Sequence, residues 1–260
     1  MLTGSNITFR VGSKVLISDI SASFAPGGLH LIVGPNGAGK STLVKVLARL
    51  LRPQTGTVEY DGADVSQANE AELAKKRAVL SQAIEIAFPL TVREVVMMGR
   101  YPHFSGRPGP TDERIVDEVM QHFDVTEFEH RYYQTLSGGE RQRVNFARVL
   151  AQLGDDGSVD SCRYLFLDEP LTFLDIRHQM DFMKRIRSFT DNAAVVTVGV
   201  VHDLNLAARF ADQILMLNGG RIVASGPPAE VFTTERIEEV FGVKPTMVQT
   251  STSDVHLIFN

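Results

Sequence analysis

Cysteine is nearly absent from this 260-residue chain and tryptophan is absent altogether. The single Cys162 cannot close an intramolecular disulfide and offers no set of thiolates for a metal, which fits a reducing compartment. A basic surplus is also missing. With 31 acidic against 26 basic residues, a polyanion such as DNA is given little attraction, and nucleic acid is not an expected partner. Long apolar runs are lacking as well. The stretch 193–201 falls well short of the ~20 residues a bilayer crossing needs, and the N-terminal residues show no basic start followed by a long apolar segment. Any membrane role is therefore expected to be peripheral. No internal repeat or low-complexity tract breaks the chain. What remains, 43% hydrophobic residues, suits one sizeable α/β domain or a core carrying a smaller lobe.

The most informative segment present is Gly34-Pro35-Asn36-Gly37-Ala38-Gly39-Lys40-Ser41. Its glycine, lysine and hydroxyl spacing is that of a phosphate-binding P-loop. Leu29, Leu31, Ile32 and Val33 before it suit a buried strand, while Leu43, Val44, Val46, Leu47, Leu50 and Leu51 after it recur at helical spacing. Between strand and helix, glycines let the backbone approach phosphate oxygens, and unpaired N–H groups face the anion along a favourable dipole. Lys40 is expected to reach the β- and γ-phosphates of a nucleotide and Ser41 to hold Mg²⁺.

The opening is strand-rich, with Pro26-Gly27-Gly28 as punctuation, and Thr57-Val58-Glu59-Tyr60-Asp61-Gly62 reads as a strand entering a turn. Between about residues 85 and 150 the pattern turns helical. Thr111 is expected to cap a helix with Asp112 and Glu113 in its first turn and Ile115, Val116, Val119 and Phe123 on one face. Tyr101 and His103 fall in a Gly/Pro-rich stretch read as a solvated loop; residues 106–110 and 154–158 read as further loops. Strand character returns at 164–167 and 194–201, and a hairpin is expected over 212–226.

Tyr164-Leu165-Phe166-Leu167-Asp168-Glu169 is an apolar strand ending in two carboxylates, which alternation points in different directions. Asp168 suits a contact to Mg²⁺, directly or through water, and Glu169 suits polarising the water that attacks a γ-phosphate. Leu136-Ser137-Gly138-Gly139-Glu140 precedes a helix with Val144, Ala147, Leu150 and Ala151 on one face, a second glycine-rich helix start available to phosphate.

Together the P-loop, this LSGGE phrase and the LFLDEP strand resemble the ATPase subunits of ATP-binding cassette transporters, over nearly the whole chain. The resemblance implies an α/β fold: a P-loop NTPase core (1–84 and 156–260) with an N-terminal antiparallel β subdomain and an inserted helical subdomain (85–155), making one cassette over 1–260. It implies that ATP is held by Gly34, Pro35, Asn36, Gly37, Ala38, Gly39, Lys40, Ser41 and Thr42, and Mg²⁺ by Ser41, Gln82 and Asp168. Two cassettes would face each other head to tail, so that Ser137, Gly138 and Gly139 of one chain close over the nucleotide of the other, with Asp175 in the crossing loop. Glu169, His202 and Gln82 would form the catalytic set: base, γ-phosphate switch and sensor coupled to the helical lobe. The family stacks an aromatic on adenine near the N-terminus. Here Val11 takes that position, and the nearest aromatic, Phe9, sits on an alternating strand where it can stack on the base or face the core. Phe173 also replaces a smaller residue in the crossing loop.

Arg77-Ala78-Val79-Leu80-Ser81-Gln82, the Phe88-Pro89 pair and the extended 152–163 link resemble importers of haem. Gly99-Arg100-Tyr101-Pro102-His103 and Thr172-Phe173-Leu174-Asp175 also occur in iron–siderophore relatives, and the wider resemblance takes in cobalamin importers. The expected partners are a second copy, two copies of a membrane permease docked near Gln82 and Phe88, and indirectly an external haem-binding protein. The expected site is the cytoplasmic face of the bacterial inner membrane. A soluble cassette ATPase of DNA repair or translation is disfavoured by the absence of a long heptad insertion, a tandem second cassette and a basic surplus. A subunit that hydrolyses nothing is disfavoured by the presence of Lys40, Asp168, Glu169 and His202.

Overall fold

The structure, a computed structural model, describes every residue except 82–85, 87, 155–161, 172–173, 192–193, 250–254 and 260. An antiparallel pair, β1 (Leu2–Val11) and β2 (Lys14–Phe24), is followed by the buried strand β3 (Leu29–Val33) and helix α1 (Lys40–Leu47). The chain then returns to the first pair with β4 (Thr55–Tyr60) and β5 (Ala63–Asp64). Helix α2 (Glu70–Lys76) starts where the Asn69 side chain accepts from Ala71 N at 2.8 Å, and leads into β6 (Arg77–Leu80). Helices α3 (Val92–Met97), α4 (Pro110–His122) and α5 (Gly138–Gln152) come next. After them the chain re-enters the core through β7 (Arg163–Leu167), α6 (Ile176–Asp191), β8 (Val195–Val200) and α7 (Leu204–Phe210). It closes with the hairpin β9 (Gln213–Asn218)–β10 (Arg221–Gly226), helices α8 (Pro228–Val231) and α9 (Thr234–Phe241), and a second hairpin, β11 (Pro245–Gln249)–β12 (Val255–Phe259).

A six-stranded sheet ordered β10-β9-β3-β8-β7-β6 forms the centre, parallel from β9 to β6. Because side chains alternate along a strand and both faces of a parallel sheet are covered, its residues divide between two cores. Tyr164, Phe166, Val196, Val198 and Val200 pack with α1 and the antiparallel sheet β2-β1-β4-β5, where Tyr60 stacks on Tyr164 at 3.9 Å. Leu165, Leu167 and Leu31 turn the other way, onto α5, α6 and α7. These are the layers of a P-loop NTPase core with an antiparallel β subdomain and, between β6 and β7, an α-helical insertion.

The parallel order has a direct consequence for the site. The loops after β3, β6, β7 and β8 all leave the same edge of the sheet, where ligands of open α/β sheets bind. Those loops begin at Gly34, Ser81, Asp168 and Val201, so the P-loop, the two acids Asp168 and Glu169, and His202 lie along one edge.

Two local expectations are corrected. Helix α4 is capped at Gly109, not Thr111: Pro110 presets the first helical position, and Asp112 Oδ2 accepts from Gly109 N at 2.8 Å. The stretch through Tyr101 and His103 is no solvated loop but a 3₁₀ turn, residues Met98–His103, pressed on α5. A Cβ on Gly99 would lie 2.1 Å from Arg148 O, so only glycine allows that approach. Arg100 is completely buried, with Nε 3.0 Å from Asp112 Oδ1 and Nη1 donating to Ala151 O at 2.9 Å. His103 Nε2 stands 2.8 Å from Gln152 O, while Tyr101 remains exposed.

Candidate active site

Helix α1 begins at Lys40, and the residue before it, Gly39, has φ 97° and provides no side-chain cap. A side chain at Gly39 would be strained by that φ and would meet Leu16 O at 2.6 Å. The first N–H groups of α1 therefore open toward the loop without a competing side chain, as a phosphate needs. Lys40 is buried and folds back on that loop, Nζ donating to Gly34 O at 2.8 Å and Pro35 O at 3.0 Å. Burial pulls its ammonium below the usual lysine range, against the opposing pull of the Glu169 and Asp168 carboxylates. A cation held between carbonyls and carboxylates in a partly desolvated site is poised to take up phosphate charge.

At the end of β7 the two acids separate. Asp168 is buried, its N–H bonded to Leu80 O at 2.9 Å and its Oδ2 3.6 Å from Lys45 Nζ. Its buried Oδ1 has no hydrogen-bond partner among the described residues. An acceptor left unsatisfied at such a place is costly and suits a metal or its water. The donor chemistry thus fits a hard cation. Glu169 takes φ 54°, a left-handed conformation rare outside glycine, and its Oε1 lies 3.0 Å from His202 Nε2. Residues brought to one edge by β7 and β8 thus make a carboxylate–imidazole pair. Gln82 lies outside the described residues.

Ser137, Gly138 and Gly139 stand at the start of α5 with open space beside both glycines. Ser137 and Glu140 cap each other: Ser137 N donates to Glu140 Oε2 at 2.6 Å, and Glu140 N donates to Ser137 Oγ at 3.4 Å. The Ser137 N–H holds the Glu140 carboxyl below the usual carboxylate range. Asp175 is exposed, and its Oδ1 accepts from His178 N at 2.9 Å. Neither segment touches the P-loop of its own chain in any described hydrogen bond or ion pair. Near the N-terminus Val11 is exposed, whereas Phe9 is half-buried and packs on the core.

Residues 17–172 match the family model for ABC transporters. The chain belongs to the ABC transporter family. It is 44% identical over 244 residues to the hemin import ATP-binding protein HmuV of Rhizobium meliloti, covering 94% of this chain and 92% of that one. To HmuV of Gloeobacter violaceus it is 43% identical, covering 96% and 90%. Among solved structures, an inward-facing ABC transporter assigned to the metal-chelate type superposes with TM-score 0.82 at 22% identity, over 100% of this chain and 96% of that one. A bacterial ABC transporter cassette solved as a dimer does so with TM-score 0.74 at 24% identity, over 88% and 99%. The cassette is accordingly an ATP-hydrolysing one.

Three contacts of this ABC cassette escaped the sequence reading. Gln142 Nε2 donates to Pro170 O at 2.7 Å, tying α5 to the turn that carries Glu169. Gln179 Nε2 holds Leu174 O at 3.0 Å beside the crossing loop. Asp203 Oδ1 caps α7 directly after His202, accepting from Asn205 N at 2.8 Å and Leu206 N at 3.0 Å. Only the last has a local signal, an acid just ahead of a helix. The glutamines reach carbonyls 28 and 5 residues away, and an isolated Gln carries no mark of that.

Proposed function

We propose that this cassette powers import of haem through a membrane permease, working as a head-to-tail pair at the cytoplasmic face of the bacterial inner membrane. The observation that carries the motor is the Glu169–His202 pair set beside Lys40 and the unsatisfied Asp168 oxygen. The relatives named as hemin import proteins support the cargo, as do the Arg77–Leu80 strand and the Phe88-Pro89 pair. Ser41, Asp168 and Gln82 would hold Mg²⁺, which when bound offsets charge on the β- and γ-phosphates.

In this reading Lys40 exchanges the carbonyls of Gly34 and Pro35 for phosphate oxygens. Glu169 orients the attacking water and accepts its proton, while His202 holds Glu169 and meets the γ-phosphate. Ser137 and Gly139 complete the site of the opposite copy, so hydrolysis requires the pair. ATP bound at both sites favours the closed pair through these added contacts, and the closure moves the permease.

The permease socket in this reading is built around Phe88, on the segment that follows Gln82 in the sequence. Phe88 and Tyr132 are 73% and 54% exposed, and the Gln134 amide ties their segments by donating to Ile86 O at 3.1 Å and to Phe88 O. Exposed aromatics braced in this way suit a docking helix of a permease. An external haem-binding protein would meet the permease and not this chain. Siderophore or cobalamin import is the alternative, yet the Gly99-Arg100 phrase shared with siderophore relatives serves here to pack the helical lobe, not to meet cargo. Reconstitution with its permease in vesicles is expected to give ATP-dependent uptake of haemin. Uptake of ferric siderophore or cobalamin in its place would overturn the cargo.

A further inference from the structure

His202 is the exposed first residue after Val201, itself anchored by Val201 N donating to Ile32 O at 3.3 Å. On the other side it runs straight into α7. A seven-residue helix is too short to hold a direction unaided, so α7 points where its contacts place it. Leu204, Leu206 and Ala207 bury one face in the core. Apolar packing alone tolerates sliding along the axis, whereas a pair of directional hydrogen bonds does not.

Asn205 supplies that pair. Its Nδ2 donates to Leu257 O at 3.0 Å, and its Oδ1 accepts from Leu257 N at 2.8 Å. One carboxamide thereby takes both peptide groups of a buried residue in β12, as a neighbouring strand would. The clamp lies three positions from His202, one helical turn, and 52 residues from its partner in sequence. An open cleft separates the two halves, with His202, Asp203 and Leu204 on one wall and Phe241, Val243 and Phe259 on the other.

We propose that Asn205 is a positioning residue for ATP hydrolysis: by locking α7 to the C-terminal hairpin it sets His202 Nε2 against Glu169. In this reading the hairpin bears on hydrolysis only through Leu257, whose peptide groups the clamp holds. Loss of the clamp frees the first turn of α7, and a displacement of about 1 Å at a reacting group costs on the order of a hundredfold in rate. This rests on the role given to His202 above, and the experiment separates the two.

Steady-state ATPase rates and nucleotide affinity are measured for the 260-residue chain and for Asn205→Ala, His202→Ala and the double variant, with Ile258→Ala as a control on the exposed side of β12. Asn205→Ala is expected to lower kcat by about tenfold to a hundredfold with KM for ATP and affinity for a non-hydrolysable analogue unchanged. Ile258→Ala is expected to leave both unchanged. In the His202→Ala background, Asn205→Ala is expected to cost nothing further, since both changes act on one group. Asn205→Asp, which keeps the acceptor for Leu257 N–H but loses the donor, is expected to fall between wild type and Asn205→Ala. Wild-type kcat in Asn205→Ala, a loss additive with His202→Ala, or a loss matched by weaker analogue binding would each overturn the proposal. Full activity in His202→Ala would instead defeat the assignment of His202.

Discussion

Glu169 occupies a conformation that most side chains avoid, at φ 54°, and strain of this kind costs on the order of 1–3 kcal/mol. It persists because the flanking backbone is held by Asp168 N on Leu80 O and by Gln142 on Pro170 O. The carboxylate is thereby aimed at His202 and away from the buried Asp168. Replacing one oxygen by an amide leaves size and backbone demand alike. Glu169→Gln is therefore expected to reduce turnover by roughly 10²–10⁴-fold, the worth of a positioned general base, with nucleotide binding retained. Steady-state hydrolysis beside equilibrium binding of labelled ATP reads this, and unimpaired hydrolysis would remove Glu169 from the mechanism. The identity of the residue was legible because two acids ending an apolar strand form a local pattern. His202 was read into the same set only through the family resemblance: nothing near it in sequence shows that parallel strands β7 and β8 set it 3.0 Å from Glu169.

At the level of elements, a helix start follows from neighbouring residues: the start of α5 at Ser137 was legible, whereas the cap expected at Thr111 falls at Gly109. Ser137 with Glu140, and Thr91 with Glu94, form reciprocal caps of the kind their spacing implies. The turn over Met98–His103 shows where such reading fails. Gly and Pro in a short stretch suggest solvent, yet Arg100 is fully buried because Asp112, Ala151 and Gly154 converge on it from two other helices and their ends. The guanidinium joins α4 to the last turn of α5, so it braces the lobe that presents the Ser137 turn. Removing it leaves the Asp112 charge buried without its partner. Arg100→Ala is accordingly expected to destabilise the fold by about 3–5 kcal/mol. Chemical denaturation measures this, and a loss below about 1 kcal/mol, the range of exposed ion pairs, would mean that the pair does not brace the lobe.

For the whole molecule, the Lys40 loop and the Ser137 turn sit on different bodies of one chain, the core and the helical lobe. No polar contact between them is described within the chain, and the proposed function has them meet across two copies. A mixing experiment tests this. Lys40→Ala and Gly139→Asp chains are each expected to be inactive alone. When mixed, they form heterodimers in which one site keeps an intact lysine loop facing an intact glycine turn, so ATPase activity returns to a fraction of wild type. Failure of the mixture to hydrolyse ATP, although heterodimers form, would show that each site belongs to a single chain.

The sequence by itself determined what adjacent residues decide. It specified the P-loop between strand and helix, the two acids ending a strand, the glycine-rich helix start at Ser137, the absence of a disulfide framework and the α/β class, since backbone conformation is largely settled within a few positions. Only the tertiary structure decided which distant groups meet. It placed Phe9 against the core, drew Arg100 into the lobe, left one Asp168 oxygen without a partner among the described residues and bound Asn205 to Leu257. Those contacts arise from the strand order and the division of the interior into two cores, which no spacing of letters records.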